Sequence, residues 1–229
     1  ETASQRIRRI TIEIKDVFED QDDLGSFYRT VNSLKINTKE DVVRRELLFK
    51  EGDLYDPFLI QESERFLRSL PFLRRVKITP ISEGEFVDVQ VTVQDTWTLI
   101  PQLGFSLGGG SNKSQIGIAE SNVLGYGKRA EILLANDEDR RKIEAVYHDK
   151  RFWGSSKQLT VGGFDRSDGY RGFGSLGQPF RSLAQRSAWN TSADVSDTIG
   201  RLFENGDESF IFRDKHIEGS LRYYLSQGE

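Results

Sequence analysis

Gly104-Phe105-Ser106-Leu107-Gly108 has the glycine–serine–glycine spacing of a nucleophile elbow, in which a serine is raised on a tight turn between a strand and a helix. The residues that follow, Gly109, Gly110, Ser111 and Asn112, predict a further turn instead of a helix, so the pattern reads as an ordinary strand end. His148 and His216 are the only histidines, both fall in predicted strands, and neither has zinc-ligand spacing; cysteine is absent altogether. The acidic runs Glu19 to Asp23 and Asp137-Glu138-Asp139 lack the alternating ligands of an EF-hand loop and read as solvated loops. No catalytic residue, metal site or cofactor is expected. Trp97, Trp153, Tyr147, Tyr223 and Tyr224 remain as rings suited either to a membrane interface or to cross-strand packing, with Trp153 the better fit to an interface.

If the side chains offer no reaction, the elements must carry the function. The 229 residues are 36% apolar and 30% charged, an ordinary globular balance. A net charge of -4, with cations scattered among acids, lacks the basic stripe of a nucleic-acid binder, so no nucleic-acid partner is expected. No apolar run approaches the roughly 18 residues of a membrane helix. The mean hydropathy of -0.54 leaves a membrane barrel open, because its lipid-facing and lumen-facing residues alternate. A start at Glu1 without methionine and an end beside a strand-like run predict a segment of a longer protein.

Ile10, Ile12 and Ile14 alternate with polar neighbours and predict a first strand. An acidic insertion around residues 17–37 follows. Thr38 and Asp41 form a capping-box pattern ahead of a helix over about Lys39 to Phe49. Asp56 and Pro57 open a second helix with Leu59, Ile60, Phe66, Leu67 and Leu70 on its apolar stripe, which Pro71 stops. Val76 and Ile78, and then Val87, Val89, Val91 and Val93, alternate as two strands around Gly84. The order β-α-α-β-β predicts an α+β domain.

From Leu99 helical periodicity gives way to short alternating runs between turn residues, an antiparallel meander. Leu103, Phe105 and Leu107 share one face, as do Ile116 and Ile118, and Ile143, Ala145 and Tyr147. Further runs are about 157–164, 170–177, 184–196, 208–213 and 217–225. Periodicity alone leaves a soluble β-sandwich and a membrane barrel both open.

Val43-Arg44-Arg45-Glu46-Leu47, Lys50-Glu51-Gly52-Asp53-Leu54-Tyr55 and Ser69-Leu70-Pro71-Phe72-Leu73-Arg74-Arg75-Val76 resemble the polypeptide-transport-associated (POTRA) domain across residues 7–95. Asp95 to Pro101 is similar to the junction between such a domain and a barrel in the outer-membrane-protein assembly family (BamA, TamA and relatives). Glu120 to Gly127 resembles the turn after that family's second barrel strand, and Phe152-Trp153-Gly154 resembles the aromatic element ending its fourth.

The resemblance implies a POTRA domain over 1–96 and the N-terminal strands of an incomplete transmembrane β-barrel over 97–229. It implies a bacterial outer-membrane location with the POTRA domain in the periplasm. Expected partners are unfolded outer-membrane or secreted polypeptides, outer-membrane lipid, and periplasmic or lipoprotein partners. By analogy, clients add as strands to an edge formed by Arg75, Val76, Lys77 and Ile78, and Leu103, Phe105 and Leu107 belong to a gate strand. Because such barrels need more strands than this segment supplies, the isolated piece is expected either to associate through its strand edges or to leave part of its barrel half disordered. A two-partner secretion pore and a soluble sandwich binding module are the rival readings.

Overall fold

The computed structural model describes residues 5–17, 36–108, 111–136, 140–180, 185–204 and 207–227. The chain divides into two compact units: residues 1–98 with 121–127, and residues 99–120 with 128–229. The main break falls after Thr98, two residues beyond the expected boundary, and the turn 121–127 groups with the first unit.

The first unit is built on β1 (Arg6–Lys15), α1 (Glu40–Arg44), α2 (Pro57–Arg68), β2 (Leu73–Glu83) and β3 (Phe86–Asp95). Its sheet has the order β1-β3-β2, with β1 parallel to β3 and β2 antiparallel to it. A parallel pair cannot be joined by a tight turn, and the helices supply the crossover. Val87, Val89, Val91 and Val93 sit at the middle of this sheet and are essentially inaccessible, packed with Ile10, Leu67 and Ile78 in one core. Val91 therefore lies opposite Ile12 on one side and Ile78 on the other. On the sheet's exposed face Arg8 bonds Asp88 at 2.9 and 2.6 Å and Glu83 at 2.7 Å. The Arg8 hydrogen bond holds the Asp88 carboxyl below its ordinary range, and the two acids raise the guanidinium in turn.

α2 starts as expected: the Asp56 side chain accepts from the Phe58 N–H at 2.8 Å, with Pro57 in the first turn. α1 is much shorter than the expected span to Phe49. The Leu48 N–H donates to Ser63 Oγ on α2 at 2.9 Å, which diverts it from helical pairing, and Leu48 is left exposed. The capping box does not form either; Lys39 is the N-cap, without a side-chain bond, because Thr38 is engaged elsewhere. The insertion lies mostly outside the described residues, since 18–35 are not described.

The second unit holds β4 (Leu99–Gly108), β5 (Ser111–Glu120), β6 (Arg129–Asn136), β7 (Arg141–Asp149), β8 (Gln158–Arg166), β9 (Gly169–Gln178), β10 (Ser187–Glu204) and β11 (Asp207–Leu225). Each pairs with the next in one antiparallel sheet, and β4 and β11 are its two edges among the described residues. The expected runs 208–213 and 217–225 are a single strand. Asp214, Lys215 and His216 looked like an interruption, yet they continue the ladder opposite Thr198, Asp197 and Ser196. β6 is a further strand beyond the expected runs, with Ile132 and Leu134 alternating within it.

The ladder register brings Leu103, Ile116, Leu134 and Ile143 into one row and Ile118, Ile132 and Ala145 into the next. Those leucines and isoleucines are all exposed, from Ile118 at 45% to Leu103 at 67%. The other face carries polar pairs: Gln102 Nε2 donates to Glu131 Oε1 at 3.1 Å, Lys142 bonds Glu144 at 2.6 Å, and Arg171 bonds Asp194 at 2.8 Å. Among the described residues the second unit holds a single sheet, whereas a soluble sandwich is built from two. An apolar exposed face backed by a polar one is the pattern of barrel strands.

Candidate functional site

Arg75, Val76, Lys77 and Ile78 lie on β2, an edge strand of the first unit's sheet. Val76 and Ile78 point into the core, and Arg75 and Lys77 are exposed. The pairing with β3 shifts between Arg74 and Lys77, and Arg75 takes the left-handed conformation at φ 48°. This is a bulge, which bends an edge strand and breaks its regular presentation of hydrogen-bonding groups. Leu103 and Phe105 lie on one face of β4, at an edge of the second unit's sheet, and are exposed at 67% and 78%. Leu107 continues that strand opposite Asn112, and its side chain is outside the described residues.

The residues with candidate chemistry are kept apart. Ser106 sits within β4, which leads to strand β5, so no helix presents it. His148 Nδ1 is 2.8 Å from Thr160 Oγ1, and His216 Nε2 is 3.2 Å from Glu218. Among the described residues no group of three or more His, Asp or Glu gathers as metal ligands. The acidic runs at 19–23 and 137–139 lie outside the described residues. Trp153 is 90% exposed and stacked on Phe152 with ring centroids 4.5 Å apart.

The most completely buried polar cluster in the first unit escaped the sequence reading. Asp95 is inaccessible; its carboxylate accepts from the Thr38 N–H at 2.8 Å and the Thr38 hydroxyl at 2.5 Å. Asn122 Nδ2 donates to Thr38 Oγ1 at 2.7 Å, and Asn122 Oδ1 accepts from the Gly127 N–H at 2.6 Å. The Lys39 N–H donates to the Gly125 carbonyl at 3.0 Å, and its ammonium donates to the Tyr126 hydroxyl at 2.7 Å. The turn 121–127 is thus held by polar bonds at both ends. One signal was available: Asp95 continues the inward period of Val87, Val89, Val91 and Val93, so a carboxylate at that parity had to be buried and bonded.

Glycine is required in that turn. Gly125 has φ 76°, and a Cβ there would run into the Asn37 carbonyl. Gly125→Ala is expected to cost about 2 kcal/mol through left-handed strain and crowding. It would appear as faster amide exchange at Lys39 and Gly127, whose N–H groups depend on the turn; unchanged protection at both would show that the turn absorbs the methyl.

Residues 30–95 match the POTRA family, described as a surface antigen variable number repeat. A candidate outer membrane protein assembly factor of Treponema pallidum (strain Nichols) is 28% identical over 134 residues, 55% of this chain. The chain spans only 16% of that relative's length. Among solved structures, BamA from Haemophilus ducreyi lacking POTRA domains 1–3 superposes with a TM-score of 0.62 at 15% identity, over 97% of this chain and 44% of that one. CdiB from Acinetobacter baumannii gives 0.56 at 12% identity, over 99% of this chain and 44% of that one. At such identities the likeness is one of fold. A POTRA match leading into strands with this fold, beside a relative among assembly factors, makes the chain similar to outer-membrane proteins of the BamA/TamA type.

Proposed function

We propose that this chain is the part of an outer-membrane assembly protein that takes up unfolded β-barrel clients by strand addition, first at the β2 edge of the POTRA domain and then at β4. The carrying observation is that both segments singled out for client contact lie on edge strands. An edge offers unpaired backbone groups, and backbone bonding gives affinity without strict sequence selectivity, which suits varied clients. In this reading the POTRA domain faces the periplasm and the exposed row of Leu103, Ile116, Leu134 and Ile143 faces lipid. The role is non-enzymatic; Ser106 in mid-strand and histidines engaged with Thr160 and Glu218 support that.

The test is Ile78→Pro. The Ile78 N–H donates to a side chain and not to β3, so proline there removes an outward donor and spares the sheet ladder. Client-peptide affinity is expected to fall about tenfold, the equivalent of one good hydrogen bond. Unchanged binding by a folded variant would remove β2 from the mechanism. The fold shared with CdiB keeps a secretion pore as the second reading. A reconstituted client recovered beyond the bilayer instead of within it would favour that alternative.

A further inference from the structure

Two backbone groups of the β2 edge are already bonded by side chains of α2. The Ile78 N–H donates to Glu64 Oε2 at 2.8 Å, and the Val76 carbonyl accepts from Arg68 Nη2 at 3.1 Å and Nε at 3.3 Å. Glu64 and Arg68 lie one turn apart on α2 and form an ion pair at 2.5 Å. Since the Ile78 N–H points away from β3, the next residue of the same parity, Pro80, also turns its nitrogen outward, where it has no proton to offer. Along this stretch the Val76 carbonyl and the Ile78 N–H are therefore bonded by α2, and Pro80 has no N–H to offer.

The opposite edge of the sheet repeats the device. The Ile10 N–H donates to Glu51 Oε1 at 2.9 Å, the Ile10 carbonyl accepts from Arg44 Nη2 at 3.1 Å, and Arg44 and Glu51 are 3.6 Å apart. A glutamate and an arginine from the segment joining β1 to β2 thus close each edge by imitating the donor and acceptor of a neighbouring strand. Edges left bare invite indiscriminate pairing. Yet the Glu64–Arg68 pair is built to be displaced: the Arg68 side chain is 60% exposed, and exposed ion pairs hold weakly.

We propose that Glu64 and Arg68 are a displaceable clasp that keeps the client-binding edge closed until an extended polypeptide competes for the Val76 carbonyl and the Ile78 N–H. The occupant is a polypeptide in strand conformation, because its main chain offers the same carbonyl and N–H that the two side chains now supply. This rests on the reading that β2 receives client strands. Since clasp and client use the same two backbone groups, they exclude one another, and the clasp selects for segments long enough to bond several residues at once. A fragment of only two or three residues gains too little to open it.

The experiment measures anisotropy of a fluorescent peptide copying the barrel strand Ile217–Leu225, titrated with the full chain in detergent micelles. Removing the clasp with Glu64→Ala and Arg68→Ala together is expected to tighten binding about tenfold, since the client no longer displaces two charge-assisted bonds. Glu62→Ala with Arg65→Ala, which removes another ion pair of the same helix, is expected to change nothing. Adding Ile78→Pro to the clasp-free protein should abolish the gain. Equal affinities with and without the clasp, while Ile78→Pro still weakens binding, would overturn the clasp and leave the client edge standing. Absence of binding in both, or indifference to Ile78→Pro, would overturn the edge reading and the clasp with it. Should the double substitution unfold the domain, Arg68→Gln alone frees the Val76 carbonyl and is expected to tighten binding about threefold; no change there overturns the clasp.

Discussion

Replacing Asp95 with alanine is expected to destabilise the POTRA unit by about 3 kcal/mol, near the upper range for deleting one partner of a buried charged hydrogen-bond network. The carboxylate is inaccessible and receives both the N–H and the hydroxyl of Thr38, itself 4% exposed. Alanine would leave two buried donors without that acceptor, and the Thr38 hydroxyl also receives the Asn122 amide that orients the turn 121–127. Amide exchange across Phe86–Asp95 provides the measurement, because β3 is the middle strand of its sheet and opens only when the unit does. Protection there should fall about a hundredfold. Asp88→Ala, on the same strand but bonded to Arg8 at the surface, should change it far less. Equal effects from the two substitutions would mean that Asp95 is not what secures Thr38.

The contrast between these two aspartates also marks how far the sequence could be read. The periods of β1, β2 and β3, the Asp56–Pro57 start of α2 and the meander after Leu99 were legible, because one buried or apolar face repeats at a fixed spacing. The short α1 was not. Its end is set by Ser63, fifteen residues downstream, taking the Leu48 N–H, and local spacing says nothing about such a bond. Likewise Thr38 has the composition of a cap, and only its proximity to Asp95 diverts it. The single strand β11 was split in the reading because Asp214, Lys215 and His216 are polar on both faces. Its continuity comes from the partner strand β10, where Asp197 accepts from Arg213 at 2.6 and 2.7 Å. The edge position of Arg75 to Ile78 was legible from the order of the elements, whereas the side chains that bond that edge come from α2 and leave no periodic trace.

Ile132→Arg is expected to cost about 2–4 kcal/mol in the protein folded into phospholipid vesicles, the range for a cation at the lipid midplane of a barrel. Ile132 is 52% exposed, flanked across the ladder by Ile118 and Ala145, so nothing but the surrounding medium covers it. In water an isoleucine there would be a liability and an arginine an improvement; in hydrocarbon the order reverses. Gln102→Arg makes the opposite case, since Gln102 lies on the polar face with its amide on Glu131, and an arginine there gains a charged partner. Guanidinium titration of both variants in vesicles should therefore separate them, with Ile132→Arg unfolding at lower denaturant and Gln102→Arg close to the parent. If Ile132→Arg were as stable as the parent in lipid and more soluble without it, the apolar face would not be meeting hydrocarbon. The reversal matters because exposure alone is silent on the medium: the same row of isoleucines would serve a protein–protein contact, and only the sign of the arginine effect in lipid tells the two apart.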